Sequence, residues 1–350
     1  MNTSLQINSK KIGSGHSIFI IAELSANHNQ NFSNAVKLIK EAKKAGADAV
    51  KLQTYTPDTI TINCSNEFFQ IKQGTIWDGK ILYDLYKEAY TPWEWQPKLK
   101  EIAENEGLIC FSSPFDKTAV DFLEKMNVPA YKVASFEITD IPLIEYIASK
   151  GKPVIISTGI ATLSDIEEAI NACKRMNNDQ IVLLKCTSEY PSPLEEINLK
   201  TIPNMIETFK TIVGLSDHTL GISVPVAAVV LGAKIIEKHF TLSRSMGGPD
   251  AAFSLEPDEF SQMVRSVREV EKALGDVSYE LSDKSMKSRE FSRSLFAVED
   301  IKKGGIFTEE NVRSIRPGFG LHPKYYNYIL GKKAAKDIDK GTPLNWDLID

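Results

Sequence analysis

The sequence has no long apolar run, no large excess of charge of one sign, and few cysteines. Its longest apolar stretches, such as residues 224–233, are far shorter than the ~20 residues of a membrane-spanning helix. Residues 1–15 also lack the apolar segment of a secretory signal peptide. The net charge of −5, from 41 basic and 46 acidic residues, argues against nucleic acid or an anionic membrane surface as the main partner. We therefore expect a cytoplasmic protein that binds neither.

Cysteine is scarce, with four residues in the chain and no pair in a CxxC arrangement, which gives no support for a zinc or redox motif. Cys110 and Cys186 lie within apolar runs, where a reduced cysteine packs as a small hydrophobic residue. We expect both to be core residues in a reducing compartment.

Apolar material is sufficient for a large core, since 42% of the 350 residues are hydrophobic, and the length suggests two domains. Short apolar runs alternate with helical patterns along most of the chain, and eight of them read as strands: residues 18–22, 49–53, 108–111, 130–134, 153–157, 181–185, 211–214 and 234–238. Nearly continuous apolar strands separated by helices are typical of a parallel sheet covered by helices. Eight such units predict a (β/α)8 TIM barrel, an α/β fold, for residues 1–275.

A doubly wound open sheet is the alternative fold. Gly13 and Gly15 precede the first predicted strand instead of following it, so they do not form the glycine-rich turn of a dinucleotide-binding unit. This position favours the barrel over the open sheet.

The character of the sequence changes after residue 275. Residues 276–292 are polar and rich in Ser and Lys, and we predict a linker there. Residues 293–350 form a small Gly- and Pro-containing unit with a near repeat, residues 299–304 and 336–341. So short a segment has a marginal core of its own, and we expect it to dock on another surface.

Polar residues follow or end the predicted strands, where a (β/α)8 barrel carries its active site: Glu23, Lys51, Lys132, Ser135, Glu137, Ser157, Ser188, Ser216, His218 and His239. An unpaired ammonium group inside an apolar strand costs several kcal/mol. Lys51 and Lys132 therefore either pair with carboxylates for structural reasons or face an anionic ligand, such as a phosphate together with a carboxylate. Lys132 is alternatively a Schiff-base lysine, as in class I aldolases.

The two histidines His218 and His239 end adjacent predicted strands, about 4.8 Å apart in a sheet. Two converging imidazoles can hold a divalent metal with open positions for water and substrate. Two independent hydrogen-bonding histidines are the alternative. Neighbouring Asp217 and Glu237 favour the metal, because carboxylates orient such ligands.

Nine aromatic residues occur in the segment from Tyr55 to Trp95, both ends included. Most should pack within that loop, and one or two are candidates to line a sugar site.

Ordered motifs along nearly the whole chain resemble the sialic acid synthase family, which comprises N-acetylneuraminate, legionaminate and pseudaminate synthases. The barrel motifs are residues 21–28, 50–54, 131–137, 156–159, 185–191, 214–219, 236–240 and 248–250. Residues 294–297 and 315–320 resemble the antifreeze-like (SAF) domain of these synthases. Residues 23–28 lack the glycine common in N-acetylneuraminate synthases, and Ser188 stands where those enzymes carry Asn. The pseudaminate branch is the one that this chain most resembles.

The resemblance implies condensation of phosphoenolpyruvate with the open-chain aldehyde of an N-acetylated amino sugar, giving a nine-carbon ulosonic acid and phosphate. In the pseudaminate branch the sugar would be 2,4-diacetamido-2,4,6-trideoxy-β-L-altropyranose. The implied cofactor is a divalent cation, manganese first and magnesium or cobalt as alternatives, held by His218 and His239. The phosphoenolpyruvate contacts implied are Lys51, Lys132, Ser135, Ser157, Ser188 and Ser216. Catalytic Glu23 and Glu137 would stabilise an oxocarbenium and assist water.

The same resemblance places Tyr190 and Asp250 near the sugar. It also implies that Arg316 reaches the barrel of a neighbouring subunit, so we expect a domain-swapped homodimer. Three other functions remain open from the residues alone: another branch of the family, a Schiff-base aldolase that uses Lys132, and a non-enzymatic carbohydrate- or ice-binding protein.

Overall fold

Eight parallel strands form a closed barrel in the computed structural model, which describes residues 4–72 and 74–350. The chain divides into two compact units, Met1–Gly275 and Asp276–Asp350. An N-terminal hairpin precedes the barrel and consists of β1 (Ser4–Ile7) and β2 (Lys10–Gly13). The barrel strands are β3 (Phe19–Glu23), β4 (Ala49–Thr54), β5 (Ile109–Pro114), β6 (Tyr131–Val133), β7 (Val154–Ser157), β8 (Ile181–Cys186), β9 (Ile212–Asp217) and β10 (Ile235–His239).

The pairing of the last barrel strand with the first confirms the predicted (β/α)8 fold and rules out the open sheet. β10 runs parallel to β3, with Ile235 opposite Phe19 and His239 opposite Glu23. Nearly all residues of the eight strands are buried, since side chains on one face fill the barrel and those on the other meet helices. Two-sided burial explains why the strands read as continuous apolar runs.

The described residues of the first unit form ten α-helices: α1 (Phe32–Lys44), α2 (Pro57–Ile60), α3 (Leu82–Ala89), α4 (Gln96–Asn105), α5 (Lys117–Lys125), α6 (Ile141–Ala148), α7 (Leu163–Arg175), α8 (Thr201–Phe209), α9 (Ser223–Val230) and α10 (Pro257–Leu274). The helix α7 shows how the sequence sets the boundaries, because Thr162 and Asp165 form a reciprocal capping box at its start. Similarly, α10 begins at Pro257 and stops at Gly275, whose φ is 47°. None of the described helices is both long and apolar enough to span a membrane.

Two features of this unit differ from the sequence-based expectation. The helical pattern of residues 195–209 in the sequence predicts one helix over that range. In the structure α8 begins only at Thr201, because Asn198 has a φ of 48°, which an α-helix cannot contain. The hairpin β1–β2 was not predicted. Its Leu5, Ile7 and Ile12 are buried in the barrel's core cluster, and Lys10 pairs with Asp48, directly before β4, at 2.7 Å. The hairpin therefore covers the amino-terminal end of the barrel, opposite the predicted site.

The second unit contains α11 (Asp283–Ser288), β11 (Ser294–Ala297), β12 (Val312–Ile315) and α12 (Tyr326–Ile329). The segment predicted as a linker contains α11, and the exposed fractions of Val277 and Tyr279 within it exceed nine-tenths. β11 and β12 pair antiparallel above a small core that includes Leu295, Phe307 and Leu344.

The near repeat in this unit forms a symmetrical pair. The backbone N–H groups of Ile301 and Ile338 donate to each other's carbonyl oxygens, both at 2.8 Å. Asp300 Oδ1 accepts from Lys340 N at 2.7 Å, and Asp337 Oδ1 accepts from Lys303 N at 2.8 Å. The two copies of the repeat therefore provide hydrogen-bond partners for the backbone groups of each other's turns. These bonds hold the two ends of a short segment together.

Candidate active site

The centre of the carboxyl end of the barrel is a buried charge cluster around Lys51. Its Nζ lies 2.9 Å from Glu23 Oε2 and 2.8 Å from Glu237 Oε1. All three side chains are at most 5% exposed. Burial lowers the pKa of Lys51 to about 8, although Glu237 opposes the shift. One ammonium group thus bridges the ends of β3 and β10 through their carboxylates.

A second ammonium group, that of Lys132, lies on the other side of Glu237. Lys132 Nζ donates to Ser157 Oγ at 2.6 Å and lies 3.9 Å from Glu237 Oε1. Ser216 Oγ donates to the same carboxylate oxygen at 3.2 Å. Burial raises the pKa of Glu237, but Lys132 and Lys51 outweigh it and lower that pKa to about 2. Glu237 is therefore an ionised carboxylate between two cations, with the Ser216 hydroxyl bonded to it and the Ser157 hydroxyl bonded to Lys132.

Hydroxyl groups from the carboxyl ends of β6, β7 and β8 form a cradle in the sequence segments that follow Lys132: Ser135 and Ser188 lie two residues beyond β6 and β8, and Ser157 is the last residue of β7. Ser188 Oγ donates to Ser135 Oγ at 2.8 Å, and the backbone N–H of Ile160 donates to Ser135 Oγ at 3.1 Å. Gly159 forms the floor, since a Cβ built there would lie 2.1 Å from Ser188 Oγ and 2.7 Å from Ser135 Oγ. Only glycine fits without displacing these hydroxyls, so this position leaves them free to receive a small anion.

The rings of His218 and His239 lie side by side, with centroids 5.3 Å apart. His218 Nδ1 donates to Thr187 O at 2.8 Å, which leaves its Nε2 as the nitrogen with the lone pair. Burial lowers the pKa of His239 well below its usual value, and its Nδ1 has no hydrogen-bond partner among the described residues. Asp250 Oδ2 lies 3.9 Å from that nitrogen.

Two adjacent imidazoles form a donor pair that fits a divalent transition metal. Within residues 4–72 and 74–350, no three or more His, Cys, Asp and Glu side chains are grouped to hold a metal by themselves. A metal at this pair would therefore take its remaining ligands from substrate or water, as catalytic metal sites do. The role of His218 and His239 as ligands stays a prediction.

An aromatic wall stands beside the histidines. The ring centroid of Tyr190 is 4.4 Å from that of His218 and 5.1 Å from that of Phe253. Trp77, from the long loop after β4, lies 5.6 Å from Tyr190 and donates through Nε1 to Pro249 O at 3.0 Å. Of the aromatic residues considered from the sequence, Trp77 is thus the one that the structure brings to this wall.

The carboxyl group of Glu137 lies at the end of β6, in a short 3₁₀ turn with Ser135. Its Oε2 is buried and has no hydrogen-bond partner within the described part of the chain. Burial raises the pKa of Glu137 to about 7, against the opposing charge of Lys132. A carboxyl group with this pKa can exchange a proton near neutral pH, as a general acid or base requires.

Arg316 belongs to the second unit, directly after β12. Its side chain is exposed, like that of Phe319 close by. No hydrogen bond or ion pair joins it to another residue in the ranges 4–72 and 74–350. An arginine in this state is available to a partner, and its proposed contact with substrate stays a prediction.

Sequence reasoning missed three residues of the site. Phe253 follows Asp250 in a 3₁₀ turn and packs on His239, with centroids 4.9 Å apart. Ser25 donates to Asp250 Oδ2. Cys186 is buried as expected, but its Sγ lies 4.0 Å from His218 Nδ1, and although burial raises its pKa, His218 lowers it overall. The polar segment after β3 was the only signal available for Ser25.

Comparison with known proteins identifies the family. The signature of the NeuB family matches residues 38–279, and the pseudaminic acid synthase of Campylobacter jejuni is 53% identical over 93% of this chain and 95% of its own length. The chain belongs to the NeuB family. Residues 292–350 match the SAF domain, which confirms the antifreeze-like assignment of the tail.

Two further comparisons extend the NeuB family match. The N,N'-diacetyllegionaminic acid synthase of Legionella pneumophila is 37% identical over the full length of both chains. The crystal structure of the spore coat polysaccharide biosynthesis protein SpsE of Bacillus subtilis, 34% identical, covers 99% of each chain with a TM-score of 0.68. The match therefore extends through both units of this chain.

Proposed function

We propose that this protein is a pseudaminic acid synthase. It would condense phosphoenolpyruvate with the open-chain form of 2,4-diacetamido-2,4,6-trideoxy-β-L-altropyranose. The observation that carries the proposal is the buried cluster Lys51–Glu237–Lys132 beside the histidine pair, in a chain far more similar to a pseudaminic acid synthase than to a legionaminic acid synthase. The activity is of the transferase type and would run in the cytoplasm.

Phosphoenolpyruvate would bind through its two anionic groups at the lysines and the hydroxyl cradle. Lys51 and Lys132 supply positive charge, and Ser157 and Ser216 supply hydroxyls bonded to Lys132 and Glu237. Ser135 and Ser188 supply a second, mutually bonded pair of hydroxyls. Charge-assisted hydrogen bonds of this kind are about twice as strong as neutral ones. Placing the anion here fixes its C3 carbon for attack.

The sugar would lie against the aromatic wall, with its carbonyl group at the histidines. His218 and His239 would hold a divalent cation, manganese, magnesium or cobalt, whose charge polarises the aldehyde oxygen. Tyr190 and Trp77 offer aromatic faces, which suit the methyl groups of a 6-deoxy sugar with two acetamido substituents. Asp250 stands at the same edge and can accept a hydrogen bond from a sugar hydroxyl.

The reaction would then proceed by carbon–carbon bond formation followed by hydration. C3 of phosphoenolpyruvate attacks the aldehyde carbon, whose oxygen takes up a proton, and positive charge develops at C2. Glu23 and Glu137 would stabilise that charge, and Glu137 would take a proton from the attacking water. The tetrahedral adduct at C2 loses phosphate by C–O cleavage, so one water is consumed for each phosphate released.

We also propose that the SAF unit of one subunit serves the barrel of another. Arg316 is exposed and unpaired among the described residues, and a guanidinium offers paired donors that suit an acetamido carbonyl. This arrangement would make the enzyme a domain-swapped homodimer and would explain why so small a unit is retained.

Phosphate release from phosphoenolpyruvate tests the proposal. Release should require the sugar and should yield one ulosonic acid per phosphate. The competing Schiff-base aldolase would be trapped by borohydride in the presence of pyruvate, through covalent labelling of Lys132. Labelling of Lys132 without sugar-dependent phosphate release would contradict the synthase and support the aldolase.

A further inference from the structure

The backbone of Ser25, two residues beyond the end of β3, has an unusual conformation. Its φ is 42°, in the left-handed region that residues other than glycine rarely occupy. Of the other non-glycine residues with positive φ in ranges 4–72 and 74–350, most are asparagine, which tolerates this region. Ser25 alone of this group is buried. A buried residue kept in this conformation indicates a local requirement for its side chain.

The hydroxyl group of Ser25 has two defined partners. Gln53 Nε2 donates to Ser25 Oγ at 2.9 Å and also to Glu23 Oε1 at 3.1 Å. Because Gln53 is the donor, the Ser25 proton points to Asp250 Oδ2. The backbone N–H of Ala26 lies near the same carboxylate and favours its charged form, although burial raises the pKa of Asp250 overall. The left-handed turn thus presents the Ser25 hydroxyl to Asp250, with the Ala26 amide close by.

These contacts join the two halves of the site. On one side, Gln53 and Ser25 connect to Glu23, which pairs with Lys51 in the anion cluster. On the other side, Asp250 lies 3.9 Å from His239. Ser25 is one of two buried residues through which the segment after β3 holds the loop after β10; the other is Asn27, whose Nδ2 donates to Phe240 O and Ser254 Oγ, both at 2.9 Å.

We propose that Ser25 is a positioning residue that fixes the Asp250 carboxylate for the sugar. The inference deepens the proposed function and rests on it, because Asp250 has the sugar as its partner only in that reaction. Ser25 touches neither reacting carbon and acts through Asp250.

A purely structural role makes a different prediction from a positioning role. Glycine adopts positive φ without steric cost, so Ser25→Gly keeps the turn and removes the CH2OH side chain, whereas Ser25→Ala removes the hydroxyl alone. If the residue serves the backbone alone, glycine replaces it fully. If it positions Asp250, glycine preserves stability and loses activity.

The experiment compares Ser25→Gly and Ser25→Ala with the parent in steady-state kinetics and thermal unfolding. We expect kcat/KM for the diacetamido sugar to fall at least tenfold, about 1.4 kcal/mol, with the KM for phosphoenolpyruvate within twofold of the parent. The Tm of Ser25→Gly should stay within about 2 °C. Asn127→Gly is the matched control, because Asn127 has a φ of 52° and is exposed, and it should change neither kinetics nor Tm.

A double variant tests whether Ser25 acts through Asp250. Ser25→Ala added to Asp250→Asn should lower kcat/KM for the sugar by no more than about twofold beyond Asp250→Asn alone, since the effects of substitutions at residues that act as a unit are not additive. If the losses in kcat/KM of the two single variants multiply in the double variant, the inference is overturned. It is also overturned if the single Ser25 variants have kinetics within twofold of an active parent. Either result leaves the proposed function intact. A parent that releases no phosphate in the presence of the sugar overturns the proposed function, and this inference with it.

Discussion

Replacing Glu237 by glutamine removes the negative charge between two buried ammonium groups. Its Oε1 lies 2.8 Å from Lys51 Nζ and 3.9 Å from Lys132 Nζ, and the side chain is 4% exposed. Removing one partner of a buried ion pair costs about 3–5 kcal/mol, because the other charge remains uncompensated. Lys51 keeps Glu23 at 2.9 Å, so we expect Glu237→Gln to lose about 3 kcal/mol of unfolding free energy, the lower end of that range.

Urea unfolding at neutral pH, followed by tryptophan fluorescence, measures this loss. Glu101→Gln is the matched control, since Glu101 Oε2 lies 2.9 Å from Lys98 Nζ but both side chains are 58% exposed. Exposed pairs contribute about 0–1 kcal/mol. A loss in Glu237→Gln no larger than that of the control would refute the reasoning that the cluster is a buried, mutually compensated set of charges.

The same variant tests whether the cluster is the anion site. Phosphoenolpyruvate bound there would restore negative charge between Lys51 and Lys132, so it should raise the Tm of Glu237→Gln by more than it raises that of the parent. Equal shifts would place the anion elsewhere.

Three other predictions follow from the site. A chelator should abolish turnover, and manganese or another divalent ion should restore it; full activity in excess EDTA would remove His218 and His239 as metal ligands. Because burial raises the pKa of Glu137 to about 7, a base role requires kcat to fall as pH drops through that value, and Glu137→Gln should abolish that limb; an unchanged pH profile would contradict the role. Inactive Arg316→Ala and Lys132→Ala subunits, co-expressed with different tags and purified as a heterodimer, should regain activity, because one site then combines an intact barrel with an intact SAF unit; no rescue would mean that Arg316 does not act across subunits.

The barrel was predictable because its strands are buried on both faces. The apolar runs that give β3 to β10 stand out in the sequence, and the side-chain alternation places Lys51 and Lys132 on the inner face. The convergence of His218 and His239 follows from the adjacency of β9 and β10. These features depend on local pattern plus the closed topology, and both are accessible from the sequence.

Other features depend on contacts between distant segments or on backbone conformation. The hairpin β1–β2 escaped prediction because its strands are only four residues long and each buries only two residues, which leaves no apolar run in the sequence. The left-handed backbone of Ser25 has no signature in residue type. The proximity of Cys186 to His218 arises only when β8 and β9 pair. The apolar run around Cys186 therefore predicted a core thiol but gave no sign of its contact with His218.

The most direct test of the proposed function is a comparison of sugars under identical conditions, with phosphate release from phosphoenolpyruvate as the signal and mass spectrometry of the product. The substrates are 2,4-diacetamido-2,4,6-trideoxy-altrose, its manno isomer and N-acetylmannosamine. We predict that kcat/KM for the altrose compound exceeds the others by at least tenfold, about 1.4 kcal/mol of transition-state discrimination. Equal or better use of either alternative sugar would contradict the assignment as a pseudaminic acid synthase while leaving membership of the NeuB family intact.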